Sequence, residues 1–147
     1  MMGYIMSRLE NRVALITGAS RGIGRATAEA LAKEGAHVVL VARTTEHLDS
    51  AGRELATLGL KASIEVADIT DPAEAEKVIT STVSRLGRLD ILVNNAGMGY
   101  FKSALEMSLK EFDEMWKLNM RGVFVVTKAA LPHMIDRKWG AIVNISS

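Results

Sequence analysis

The sequence predicts an α/β fold: an open, doubly wound parallel sheet with helices on both faces. Three observations carry that reading. Short apolar runs alternate along the chain with segments of helical period. Most of those runs are continuous rather than alternating, the pattern of strands covered on both sides. The joins between them are short, and strand–helix–strand repetition with short joins imposes right-handed crossovers and a parallel sheet.

The elements follow in order. Val13–Thr17 is the first strand, and the segment Gly22–Glu34 after it is amphipathic. His37–Ala42 is the second strand, followed by a helix over Thr45–Leu58. Gly35 and Gly59 stand where these two helices should stop. Lys61–Val66 is the third strand and Pro72–Leu86 the third helix. Asp71 is a good N-cap for it, with proline at the favoured first position. Leu89–Val93 is the fourth strand. Leu109–Arg137 reads as one long helix, which Pro132 should kink or loosen near its end. Ala141–Ser146 is the fifth strand. The long helix carries Leu109, Phe112, Met115, Trp116, Phe124, Leu131 and further apolar residues on more than one stripe. A surface helix needs an apolar arc of only about 100°. A second partner should therefore cover it, and Trp116 and Trp139 are expected to pack.

Bulk properties narrow the function. The chain has 147 residues, 48% apolar and 24% charged, with a net charge of +1. That is one soluble-type domain with no strong field for nucleic acid or a membrane surface. There is no cysteine, which excludes disulfides and thiolate metal sites and fits a cytoplasmic location. His37, His47 and His133 have no ligand spacing, so no metal site is expected and a surface role is favoured. Residues 1–8 read as an N-terminal extension to a domain over 9–147.

The chemistry is concentrated in Thr17-Gly18-Ala19-Ser20-Arg21-Gly22-Ile23-Gly24. A glycine turn between a strand and a helix aims backbone N–H groups and the positive helix end at one point, where a pyrophosphate fits. The usual dinucleotide turn is followed about 20 residues later by an acid for the ribose hydroxyls. Here the second strand ends Val41-Ala42-Arg43, with Ala42 at the acid's place. Arg43 and Arg21 would suit a ribose 2′-phosphate, because guanidinium grips phosphate with paired donors. The pattern favours NADP over NAD; the plain alternative is two solvated arginines.

These residues resemble the short-chain dehydrogenases/reductases. The resemblance rests on the glycine turn, Asp68, Asn94-Asn95-Ala96-Gly97, Asn119 and Ile142-Val143-Asn144-Ile145-Ser146-Ser147, and covers residues 9–147. NADPH-dependent carbonyl reductases, including the 3-oxoacyl-carrier-protein reductase type, are the nearest flavour. The resemblance implies a Rossmann-type sheet of strand order 3-2-1-4-5. It implies that Gly18, Ser20, Arg21, Gly22, Ile23, Gly24 and Arg43 bind the cofactor. Asp68 would accept from the adenine amino group with the Ile69 backbone beside it; a turn acid is the bland alternative. Asn95, Ala96 and Gly97 would line the cofactor, while Asn94 locks neighbouring strands. Asn119 would distort its helix and hold a water of a proton relay, and Ser147 would hydrogen-bond the substrate.

The family's acid is a tyrosine with a lysine one helical turn on. This chain has only Tyr4 and Tyr100, with Arg8 and Ala104 at the lysine's place. Tyr-x-x-x-Lys is expected just past Ser147, together with two more strands, without which Ala141–Ser146 is an exposed edge and the Leu109–Arg137 helix presents an apolar patch. The sequence reading expects truncation and a catalytically incomplete chain, whether it is a fragment of a longer enzyme, the product of a stop, or a short variant kept for binding. It also expects a homo-oligomer joined through the Leu109–Arg137 helix.

Overall fold

The computed structural model describes residues 7–146. Five strands form one parallel sheet: β1 (Val13–Thr17), β2 (His37–Ala42), β3 (Ala62–Val66), β4 (Ile91–Asn94) and β5 (Ala141–Asn144). Their spatial order is β3-β2-β1-β4-β5, as expected. Helices α1 (Gly22–Lys33), α2 (Thr45–Thr57) and α3 (Pro72–Leu86) join the first four strands.

The continuous apolar runs are explained by two separate cores. On β1 and β2, Ala14, Ile16, Val38 and Leu40 pack with Ala28, Ala32, Leu48 and Leu55 of α1 and α2. The intervening Val13, Leu15, Val39 and Val41 pack on the other face with Val78, Ile79, Val126 and Met134. Successive side chains point to opposite faces, so a strand buried on both sides has no polar position. Each fully buried Leu or Val contributes about 1.5–3 kcal/mol. The register is in step across the sheet: Ala14 lies beside Val38 on one side and Ile91 on the other.

Capping fixes the helix that precedes β4. Asp71 Oδ1 accepts from the N–H groups of Ala73 at 2.8 Å and Glu74 at 3.2 Å, as the Asp-Pro signal predicts. A capping box does the same after β4, where Ser108 and Glu111 exchange bonds.

One expectation changes. The Leu109–Arg137 helix is not one regular helix. It is α4 (Leu109–Trp116), a π-helical segment (Lys117–Gly122) and α5 (Val123–Asp136), the last running on through Pro132. A π turn widens the helix by about one residue, and the widened segment holds Asn119, the residue the family resemblance implied would distort this helix. The fifth strand is an exposed edge, as expected. Ile142 and Val143 are exposed, because among the described residues β5 has a hydrogen-bonded neighbour only in β4.

Candidate functional site

The carboxyl ends of β1, β2, β3 and β4 open into one cleft of about 670 Å3. In doubly wound sheets this edge, where the strand order reverses beside β1, is where ligands bind. Its walls include Gly18, Ser20, Arg21, Gly22 and Ile23 from the first turn and Ala42, Arg43, Thr44 and His47 from the second. Ala67 and Ile69 come from the turn after β3, Asn95, Ala96 and Gly97 from the turn after β4, and Leu118 from the π segment. Among the described residues no carboxylate lines it.

The glycine turn has the geometry its sequence demands. Gly18 has φ +64°, and a Cβ there would stand 2.8 Å from the Ala96 Cα. Gly22 has φ +55°, and a Cβ there would meet nothing within 4 Å. Gly18 is therefore a packing glycine. Gly22 faces open cleft, and its missing side chain leaves a cradle at the start of α1. Arg21, the N-cap, makes no side-chain cap, and the first turn of α1 holds no acid. The orphan N–H groups of that turn are thus left to an incoming anion. Gly24 packs beneath the Gly18 carbonyl and the Asn95 amide instead of lining the cleft. Ile23 is 64% exposed at the rim, an apolar surface for a flat ring to cover.

Thr17 ties the two central turns together, a role the sequence reading did not assign. Its Oγ1 accepts from the N–H groups of Asn95 and Ala96, each at 3.0 Å. The Asn95 amide donates in return to the carbonyls of Thr17 at 3.1 Å and Gly18 at 3.2 Å. Asn94 does lock strands. Its amide donates to Asn144 Oδ1 of β5 at 2.9 Å and to Thr127 Oγ1 of α5 at 3.1 Å. Thr127 gave no signal in the sequence, because a hydroxyl on a helix is ordinary until a partner is placed beside it.

Asp68 sits beside the cleft rather than in its wall. Its Oδ1 accepts from the Thr70 N–H at 2.9 Å and the Thr70 hydroxyl at 2.8 Å, so it is a turn acid. Burial works against its charge, but the Thr70 bonds and the nearby charges of Arg43 and Lys117 outweigh it and hold the carboxyl below its ordinary range. The Arg121 guanidinium donates to the Thr70 carbonyl at 3.0 Å and ties this turn to the π segment.

Asn119 lies in the π segment, and both ends of its amide are engaged. Oδ1 accepts from the Met98 N–H at 2.9 Å and Nδ2 donates to the Met98 carbonyl at 2.7 Å. That pair pins the turn after β4 against the distorted helix, so the unfavourable mid-helix Asn is compensated. The Tyr100 phenol donates to Glu114 at 2.7 Å. That bond, burial and the charges of Glu114 and Glu111 raise its pKa, so the proton is held more tightly. Ser147 and Tyr4 lie outside the described residues.

The two tryptophans depart from expectation. Trp116 is half exposed, because α4 turns that stripe outward. Trp139 lies under the Arg12 guanidinium, 4.0 Å from the ring centroid. With Leu109, Phe112, Met120, Phe124 and Ile135, Trp116 forms an exposed apolar ridge along α4, the π segment and α5.

The family model described as short chain dehydrogenase matches residues 12–147. The chain belongs to the short-chain dehydrogenase family. It is 41% identical over 140 residues to the 3-oxoacyl-(acyl-carrier-protein) reductase FabG of Thermotoga maritima, covering 95% of this chain and 57% of that protein. It is 45% identical over 134 residues to the gluconate 5-dehydrogenase of Gluconobacter oxydans, covering 91% of this chain and 52% of that protein. Among solved structures it superposes on a metagenomic short-chain oxidoreductase in complex with NADP. That match has a TM-score of 0.90 and 40% identity, and covers 95% of this chain and 63% of that one. A short-chain type dehydrogenase/reductase from Mycobacterium marinum gives a TM-score of 0.92 at 36% identity, covering 97% of this chain and 58% of that one. The short-chain dehydrogenase fold inferred from the sequence therefore holds. The chain spans about half the length of the curated relatives it matches. No helix among the described residues is long and apolar enough to cross a membrane.

Proposed function

We propose that this chain is the cofactor-binding part of an NADP-dependent oxidoreductase that transfers a hydride between NADP(H) and a carbonyl or secondary alcohol. One observation carries the reading. Arg21 and Arg43 line the same cleft as the uncapped start of α1, with Ala42 where an NAD enzyme would place a carboxylate. The cradle at Gly22 fits a pyrophosphate, and the two guanidiniums fit a 2′-phosphate. The superposable structure that contains NADP supports the same choice.

In this reading residues 9–147 are the nucleotide-binding domain, residues 1–8 an extension, and the location cytoplasmic. The α1 amides hold the pyrophosphate, assisted by Ser20. Ile23 and Ile69 flank rings, and the free oxygen of Asp68 takes the adenine amino group. Asn95, Ala96 and Gly97 keep the inner end of the cleft shaped for the nicotinamide. When bound, that ring supplies the two-electron chemistry. Asn119 and Ser147 serve the substrate side, Asn119 by fixing the Met98 turn and Ser147 through its hydroxyl. No metal takes part.

Reduction of a carbonyl also needs a proton at the oxygen. The chain has no Tyr-x-x-x-Lys, and Tyr100 is committed to Glu114. Turnover by the 147-residue chain should be negligible, and the substrate of a longer protein would be a small carbonyl or alcohol. The test is fluorescence titration with NADPH and NADH alongside a carbonyl-reduction assay. Preferential NADPH binding without turnover is expected; equal affinities would remove the cofactor assignment.

A second reading, a non-catalytic dinucleotide-binding or oligomerising module, draws on the apolar ridge of α4 and α5. A homo-oligomer joined through residues Leu109–Arg137 would cover that ridge.

A further inference from the structure

We propose that His47 is a third contact for the cofactor's 2′-phosphate and helps to set the preference for the phosphorylated dinucleotide. The proposal rests on the cofactor reading above and adds a specificity-determining residue to it.

His47 is exposed in the first turn of α2, and it lines the cleft beside Arg21, Arg43 and Thr44. His37, by contrast, is fixed by Ser63 at 2.6 Å between β2 and β3. None of the described hydrogen bonds or ion pairs engages the His47 imidazole, so it is free to turn toward a ligand. Thr44, the N-cap of α2, makes no side-chain cap either. Between the glycine turn and the start of α2 the lining offers two guanidiniums, one imidazole and the hydroxyls of Ser20 and Thr44, with no carboxylate among the described residues. That is a donor set for a dianion.

The imidazole stands with Arg21 and Arg43 in the lining, at the positive end of α2. Arg25 of α1 is already paired with Glu54 of α2, so it does not compete for the ligand. An imidazole N–H can donate to a phosphate oxygen beside the two guanidiniums.

The experiment measures NADPH and NADH dissociation constants under one buffer condition for the wild-type chain, His47→Ala and His47→Arg. His47→Ala should weaken NADPH by about fivefold and NADH by much less. His47→Arg should hold NADPH at wild-type strength or tighten it, which separates a lost contact from lost folding. An NADPH preference that is unchanged in His47→Ala would overturn the role of His47 and leave the cofactor reading intact. Equal affinity of the wild type for both dinucleotides would remove the cofactor reading, and His47's role with it.

Discussion

Thr17 and Asn95 hold each other in both directions. The Thr17 hydroxyl oxygen accepts the Asn95 N–H at 3.0 Å, and the Asn95 amide donates to the Thr17 carbonyl at 3.1 Å. They sit at the ends of adjacent strands, so their bonds set the spacing of the two turns that form the floor of the cleft. The same hydroxyl accepts from Ala96 and donates to the Val93 carbonyl at 3.5 Å, leaving Thr17 no spare capacity for a ligand.

Thr17→Val keeps the shape and removes that acceptor, stranding two N–H groups beside a fully buried side chain. Unsatisfied groups cost about 1–3 kcal/mol each. A loss of about 2–4 kcal/mol in urea unfolding is expected, with weakened dinucleotide binding. Thr17→Ser should restore most of both. Valine and wild type unfolding at the same urea concentration would show the hydroxyl to be dispensable.

Gly18 and Gly22 should separate under alanine substitution. Both carry positive φ, which costs about 1 kcal/mol in a non-glycine residue. Gly18→Ala adds an overlap with the Ala96 backbone, so it should lower the melting temperature more than Gly22→Ala. The Gly22 methyl would instead enter the open cradle, so Gly22→Ala should lose at least about tenfold in dinucleotide affinity while staying folded, about 1.4 kcal/mol of binding. Calorimetric melting and titration of the two variants together check this; Gly22→Ala binding at full strength would place the pyrophosphate elsewhere.

The apolar ridge predicts a change of mass. Trp116 and Phe124 are 52% and 65% exposed on it, so replacing both by arginine removes little from the core. The wild-type chain should elute as an oligomer in light-scattering chromatography, and the double variant as a monomer with nearly unchanged melting. A monomeric wild type would rule out self-association through this surface.

Asp90 governs acid stability. Its side chain is 1% exposed and meets Arg88 in two bonds of 2.6 Å, Arg12 at 3.2 Å and the Val13 N–H at 2.9 Å. Burial opposes the carboxylate, yet these partners outweigh it and hold the pKa below its ordinary value. A depressed folded-state pKa stabilises the fold above the unfolded value near pH 4, and that contribution is lost as the pH falls through the folded value. Asp90→Asn should destabilise the chain at pH 7 by about 1–3 kcal/mol, because it removes the charged partner of the part-buried Arg88 and Arg12 guanidiniums, and should flatten stability below pH 4. Unfolding curves from pH 2 to 7 for both proteins are the check; parallel acid limbs would assign the loss to other carboxylates.

Local signals were legible because they act over a few residues. Asp71-Pro72 starts a helix wherever it is placed, and the alternation of apolar runs with helical period made the sheet parallel. The sequence also marked Arg21 and Arg43. It could not show that His47 stands with them, because one turn of α2 carries it to the cleft only after β2 and α1 are packed. Nor could it show that the Asp68 carboxylate spends one oxygen on Thr70. An Asp after a strand has the same sequence whether it faces a ligand or closes its own turn.

By itself the sequence determined the parallel α/β fold, the glycine turn and the absence of a carboxylate at Ala42, since these follow from residue type and short-range spacing. Only the tertiary structure decided the engagement of both ends of the Asn119 amide by Met98, the reciprocal hold between Thr17 and Asn95, and the bond from Asn94 to Thr127. The physical reason is distance along the chain: a hydrogen bond spanning 78 residues, like that from Asn95 to Thr17, depends on how whole strands align, and no local preference encodes it.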